Sequence, residues 1–315
     1  AWRRGFGGNV TYTDWRRDNF YRAVRQLTPG VGRLAIEGDQ TTLDFRARIE
    51  CALPGVEIAD AGPATARMRR VKSPAELALL RSAAGIAAAG LAAVSGAVAE
   101  GIPGHELAAL GTAAMARRIA AEFPAAGLAE TATLVLSGPD TDGARNPVTP
   151  RTLRRGDILS VTCAPVLFGY HAALGRTAFL GQPDAASRAV WERTTALHRH
   201  ALEIIRPGAA CNAIAAELND LCRQWGLLHR RSAGYGQSAG LISAQSGRDP
   251  ALDLREDVPT VLQAGMVLSL EPMLMIPEGT PGAGGYRVQD IVVVTPAGAE
   301  PLAPFPPGPE GLVLG

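Results

Sequence analysis

The run Gly265-Met266-Val267-Leu268-Ser269-Leu270-Glu271-Pro272 constrains the fold more than any other stretch of the chain. A short, nearly continuous apolar run bounded by Gly and Pro reads as a buried strand. This strand ends on a carboxylate, Glu271, and delivers it to a pocket. A second run, Pro281 to Arg287, follows closely. Its Gly282-Ala283-Gly284-Gly285 stretch lacks the lysine and helix start of a phosphate-binding loop. It reads instead as a tight loop beside the same pocket.

The 315 residues are 47% hydrophobic, enough for one large domain and a smaller one. A net charge of +1 gives no electrostatic footprint for nucleic acid. Lys72 is the sole lysine; with the many Ala and Gly residues, this reads as a coding bias rather than a binding surface. Cys51, Cys163, Cys211 and Cys222 show no C-x-x-C spacing, which suggests reduced thiols in a cytoplasm. No signal-peptide pattern opens the chain, which begins at Ala1 and reads as processed, trimmed or partial. Residues 82–99 lack charge, but Ile86, Leu91, Val94 and Val98 recur at near-helical spacing. A soluble core helix is expected there, not a membrane span.

Before residue 70 the pattern alternates. A helix is expected over Asp14 to Leu27, a strand over Arg33 to Glu37, a helix over Leu43 to Leu53 and a strand over Val56 to Ala59. Such alternation suggests an α/β unit. Ser73-Pro74-Ala75-Glu76 is a capping box with Pro in the first turn, and it places a domain boundary near residue 71. Beyond it, helices are expected over 105–121, 184–206 and 210–226. Strands are expected over Thr131 to Leu136, Asp157 to Cys163 and Tyr170 to Leu180. The mixture without βαβ spacing suggests α+β for residues 71–315, after a 1–70 unit.

Five segments carry a family resemblance: 142–149 (DGARNPVT), 156–160 (GDILS), 234–238 (GYGQS), 254–257 (LRED) and the Glu271 to Arg287 run. Asn9 to Trp15 adds to them. The chain resembles the creatinase branch of the creatinase, prolidase and aminopeptidase P family. That resemblance implies a pita-bread C-terminal domain, a small N-terminal domain and a homodimer. The family's small domain is longer than the stretch before residue 71, so its first half is expected to be missing here.

The metallopeptidase members of the family bind two metal ions through Asp, His and Glu side chains. The corresponding positions here are Thr162, Ala173, Gln237, Glu271 and Gln289. One carboxylate cannot hold a di-metal pair, so no metal and no other cofactor is expected. Creatinases cleave a C–N bond with protein groups alone. Their acid/base histidine corresponds to Arg145, a catalytic carboxylate to Gly175 and a second histidine to Gln289; Glu271 and the carboxylate-binding Arg248 are retained. A guanidinium stays protonated, so Arg145 cannot shuttle protons as imidazole does.

Alternate residues of a strand share a face, so His171, Ala173 and Gly175 are expected to point together into the pocket. His171 is then the candidate acid/base, with Glu271 as its carboxylate partner. Arg145 and Arg248 are expected to bind an anionic substrate, with Gln237, Gln289 and Tyr235 completing the site. An alternative has His171 packed in the pocket wall and Arg145 neutralising Glu271. Cys163 reads as a buried structural thiol, and His198 and His200 as solvent-facing.

Two function classes follow from these residues. One is a metal-independent C–N hydrolase acting on a small anionic guanidino, amidino or amide compound. The other is a catalytically silent relative that binds a ligand or scaffolds a partner. An Xaa-Pro metallopeptidase is disfavoured by the five ligand positions, and no membrane or nucleic-acid partner is expected.

Overall fold

The computed structural model describes residues 19–128, 130–143, 146–241 and 252–315. Arg145, Arg248 and the expected helix start at Asp14 lie outside them. The chain divides into two compact units, residues 1–68 and 69–315.

The first unit runs α1 (Asn19–Leu27), β1 (Arg33–Ile36), α2 (Leu43–Ala52), β2 (Glu57–Asp60) and α3 (Gly62–Arg70). β1 and β2 pair in parallel, from Arg33 opposite Glu57 to Ile36 opposite Asp60. Thr42 caps α2 by accepting the Phe45 N–H. The sequence reading did not include α3. Its start is local chemistry: Pro63 sits in the first turn, and Asp60 Oδ1 accepts the Gly62 N–H at 2.8 Å.

The second unit opens on α4 (Pro74–Ala97), packed on α5 (Gly104–Glu122). The capping box forms as expected: Ser73 N–H donates to Glu76 Oε2 at 2.8 Å, and Glu76 N–H donates to Ser73 Oγ at 3.3 Å. α4 is long and apolar enough to cross a membrane, with a mean hydropathy of 1.8. Leu80, Ile86, Leu91 and Val94 nevertheless face the protein core. Each such side chain contributes roughly 1.5–3 kcal/mol on burial, which accounts for the helix as a core element.

The sheet strands are β3 (Ala132–Ser137), β4 (Ile158–Ala164), β7 (Leu174–Leu180), β8 (Gly236–Ser238), β9 (Val267–Leu270), β10 (Met273–Ile276), β11 (Gly284–Thr295), β12 (Gly298–Pro301) and β13 (Val313–Leu314). Among the described residues these form one sheet with the central order β3-β4-β7-β11-β9-β8. Helices α6 (Ala185–Ile204) and α7 (Cys211–Gln224) complete the unit. This mixture of helices and antiparallel pairs is the expected α+β class.

Two expectations fail here. The strand expected over Tyr170 to Leu180 is two pieces. Val166–Leu167 (β5) and Tyr170–His171 (β6) form their own hairpin, turned at Phe168 and Gly169, both at positive φ. β7 begins only at Leu174, beyond Ala172 and Ala173. His198 is buried rather than solvent-facing, with its Nε2 2.9 Å from Asp290 Oδ2. It lies on the face of α6 that buries Val190, Trp191, Thr194 and Ala201. His200 is only partly exposed and sits between Glu203 and Glu217.

Candidate active site

The buried strand β9 delivers Glu271 as the opening run suggested. Val267 to Leu270 are fully buried, while the Glu271 side chain is 21% exposed. The main chain fixes the carboxylate's root, because the Glu271 N–H donates to the Tyr235 carbonyl at 2.7 Å.

Strand register builds the rest of the floor. Thr162 on β4 lies opposite Gly175 on β7, and Gly175 lies opposite Gln289 on β11. Arg287 is two residues before Gln289 on the same strand and shares its face. Its guanidinium is the central cation of the floor. Nη1 donates to Glu271 Oε1 at 2.9 Å, while Nη2 donates to Ser160 Oγ at 3.3 Å and to Thr162 Oγ1. Among the described residues the cation that pairs with Glu271 is Arg287, a residue quoted in the sequence motif but given no role there. Its β11 position and the +16 spacing from Glu271 became meaningful only through strand register.

Gln289 is 5% exposed, and its Nε2 donates to Ser269 Oγ at 2.9 Å. Its Oε1 is buried without a hydrogen-bond partner. This atom points to Gly175: a Cβ added there would meet Gln289 Oε1 at 3.0 Å and Arg287 Nε at 3.3 Å. The space left by a glycine at 175 is thus closed by its neighbours rather than open. Gly285 is also required by packing, because a Cβ would collide with the Thr141 carbonyl oxygen. Gly284 and Gly285 thus open strand β11 rather than belonging to the tight loop expected over 282–285.

The remaining candidates are placed unevenly. Gln237 is half-buried on β8, opposite Ser269. His171 is half-buried on β6, and its N–H donates to the Gly240 carbonyl at 3.0 Å. The interruption at Ala172 and Ala173 removes the continuous strand on which its shared face with Gly175 rested. Tyr235 is fully buried. Its hydroxyl donates to Asn219 Oδ1 at 2.7 Å and approaches Cys222 Sγ at 3.5 Å, while Arg231 stacks 5.1 Å above the ring. Burial pushes its phenol up, and the ring acts from the core. The substrate contact expected of Tyr235 is therefore corrected to a supporting role through its carbonyl. Cys163 is buried as expected; burial pushes its thiol up to about 12, against a smaller lowering by Thr133.

Behind this floor, buried Arg176 donates through Nη2 to Asp290 Oδ1 at 2.7 Å. It also donates to the carbonyls of Gly175 and Gln289, tying β7 to β11 beneath the site.

The donor set does not suit a metal pair. Thr162, Ala173, Gln237 and Gln289 offer no charged ligand, and Arg287 already holds Glu271. Among the described residues no group of three or more His, Cys, Asp or Glu side chains could hold a metal ion.

Residues 78–296 match the metallopeptidase family M24 model, and residues 8–71 match the creatinase/prolidase N-terminal domain. The chain is 49% identical to the creatinase of Bacillus sp. (strain B-0618), over 99% of this chain and 77% of that protein. It is 25% identical to the Xaa-Pro dipeptidase of Pyrococcus furiosus, over 75% of this chain and 63% of that protein. The solved prolidase from Pyrococcus furiosus superposes with a TM-score of 0.79 at 21% identity, covering 93% of this chain and 81% of that one. The prolidase structure from Pyrococcus horikoshii OT3 gives 0.80 at 20% identity, covering 95% and 80%. Those two likenesses establish the pita-bread fold. With both domain models matched in order and this degree of identity, the chain belongs to the creatinase/prolidase family.

Proposed function

We propose that the chain is a metal-independent C–N bond hydrolase of creatinase type, acting on a small anionic guanidino, amidino or amide compound. One observation carries this reading: Glu271 is a partly exposed carboxylate whose Oε1 accepts from Arg287, on a backbone fixed by its own N–H donating to the Tyr235 carbonyl. A carboxylate bonded through one oxygen keeps lone pairs on the other for a water or a substrate N–H. Preorganised charge of this kind is a major source of rate enhancement.

In the reaction, water's oxygen bonds to the substrate carbon, the C–N bond breaks and the leaving nitrogen takes up a proton. His171 is the acid/base group in this proposal, with Glu271 orienting the reacting group. Arg145 and Arg248 bind the substrate's carboxylate, with Gln237 and Gln289 lining the site. The five ligand positions support chemistry without a metal. Family resemblance supports a homodimer, and cysteine usage a cytoplasmic setting.

A second reading draws on the Glu271–Arg287 pair and the closed space at Gly175. A neutralised, tightly packed floor also suits a silent ligand-binding relative. Turnover separates the two. A panel of guanidino, amidino and N-acyl amino acids, followed by NMR for C–N cleavage, is expected to yield a substrate. His171→Asn is expected to slow it by about 100-fold or more. Full activity in that variant would remove His171 from the mechanism, and no cleavage across the panel would favour the silent relative.

A further inference from the structure

Resting on the hydrolase reading, we propose that Tyr170 is a positioning residue for the candidate acid/base His171, acting through its bond to Glu76 at the start of α4. The two residues are neighbours on β6, and successive strand side chains point to opposite faces. Tyr170 faces α4, where its hydroxyl donates to Glu76 Oε1 at 2.9 Å. His171 therefore faces away from α4, and whatever fixes Tyr170 fixes the direction of the imidazole.

The anchor is itself fixed. Glu76 Oε2 accepts the Ser73 N–H of the capping box, so one oxygen of the carboxylate is held by the helix start while the other holds Tyr170. Burial, then the Glu76 bond, push the Tyr170 phenol up, so it remains a donor at neutral pH. The hairpin has a second seat at its turn, where Phe168 packs edge-on against Phe123 at the end of α5, with ring centroids 6.4 Å apart.

The main chain ties this arrangement to Glu271. Segment 235–240 bonds both candidate groups: the Tyr235 carbonyl accepts the Glu271 N–H at 2.7 Å, and the Gly240 carbonyl accepts the His171 N–H at 3.0 Å. Gly240 lies at φ +151° against Lys72, whose Cε would stand 3.0 Å from an added Cβ. Lys72 in turn donates its N–H at 2.9 Å to the carbonyl of Gly265, which opens the run ending in Glu271. Residues 72–76 thus hold the His171 strand twice, through the Tyr170 hydroxyl and through Gly240. Misplacing a reacting group by about 1 Å costs roughly 100-fold in rate, so losing one of these tethers is expected to cost about tenfold.

Two measurements on the full chain test this. The first needs no substrate: NMR of protein labelled at histidine, with the His171 signal assigned by its absence in His171→Asn. Tyr170→Phe, which removes only the hydroxyl, is expected to shift or broaden that signal and leave the other histidine signals in place. The second is kinetics on the compound cleaved fastest in the panel of guanidino, amidino and N-acyl amino acids. Tyr170→Phe is expected to lower kcat about tenfold with KM within about twofold, and to add no further loss in a His171→Asn background. Glu76→Ala removes the anchor from the other side and is expected to match it. Glu76→Gln, whose amide still bonds both Ser73 and Tyr170, is expected to keep the native rate. An unmoved His171 signal or an undiminished kcat in Tyr170→Phe would overturn this inference and leave the hydrolase reading standing. A loss of rate just as large in the His171→Asn background would also overturn it. A moved signal with no cleavage across the panel would overturn the hydrolase reading but uphold the tether.

Discussion

Arg176 is the strongest test of how the site is supported. Its side chain is 1% exposed and that of Asp290 is 5% exposed. The guanidinium donates to Asp290 and to the carbonyls of Gly175, Gln289, Phe305 and Pro306, at 2.7–3.1 Å. Arg176→Met keeps most of the volume but removes all five bonds and leaves Asp290 buried. Breaking a buried pair from one side costs about 3–5 kcal/mol, because the remaining charge is uncompensated. The low end of that range, about 3 kcal/mol, is the expected loss. For a unit of this size, a shift of roughly 2–4 °C per kcal/mol gives a melting point lower by about 6–12 °C. Urea unfolding and a thermal scan measure both quantities. The pair Arg81–Glu300 is the control, with side chains 44% and 50% exposed. Arg81→Met is expected to change stability by about 0.5 kcal/mol or less. A loss below about 1 kcal/mol for Arg176→Met would refute the buried-charge argument.

Other outcomes follow from the same geometry. Glu271→Gln is expected to lower kcat by about 100-fold or more while ligand-induced stabilisation in a thermal scan persists. Tyr235→Phe removes one buried hydrogen bond and is expected to cost about 1 kcal/mol in urea unfolding, since Arg231 still donates to Asn219 Oδ1. Burial acts to raise the Glu76 carboxyl, but bonds from Ser73 and Tyr170 and the Lys72 charge outweigh it and hold the carboxyl below its usual range. Its folded pKa is depressed, so its stabilisation is present above the unfolded value of 4.5 and fades as pH falls through the folded one. Glu76→Gln should therefore flatten the acid limb of a stability–pH curve. Cys51 is exposed and Cys163 is buried, with the latter's thiol pushed up to about 12. A disulfide reagent is expected to label Cys51 promptly and Cys163 only on unfolding.

Local chemistry was the part most legible in the sequence. The Ser73–Glu76 capping box formed atom for atom, because its partners lie three residues apart. Within the Gly265 to Pro272 run, the largely apolar Val267–Leu270 stretch forms the buried strand β9. The expected strand from Tyr170 failed at Ala172 and Ala173: Tyr170–His171 pairs back on Val166–Leu167 across the turn at Phe168 and Gly169, and β7 starts only at Leu174. His198 was misread because polar neighbours on α6 hid an inner face marked by Val190, Leu197 and Ala201. α3 was missed although Gly62-Pro63 after Asp60 is a helix start.

The site was legible in part. Glu271 was identifiable because its strand announces it. Arg287, Ser160 and Ser269 join it through pairings between β4, β7, β9 and β11, which no local pattern encodes. The closed space at Gly175 was likewise invisible, since a glycine in sequence carries no record of the side chains that fill its surroundings. Tyr235 was misassigned for a related reason: the segment around it borders the site, but its ring turns to Asn219 in the core.

The most direct test of the account is turnover by exhaustively chelated protein, followed by NMR on guanidino, amidino and N-acyl amino acids with native chain and Glu271→Gln in parallel. The account expects C–N cleavage by the native chain to persist after chelation, and to fall by about 100-fold or more in Glu271→Gln. Activity lost on chelation and restored by a divalent metal, or undiminished in Glu271→Gln, would contradict it.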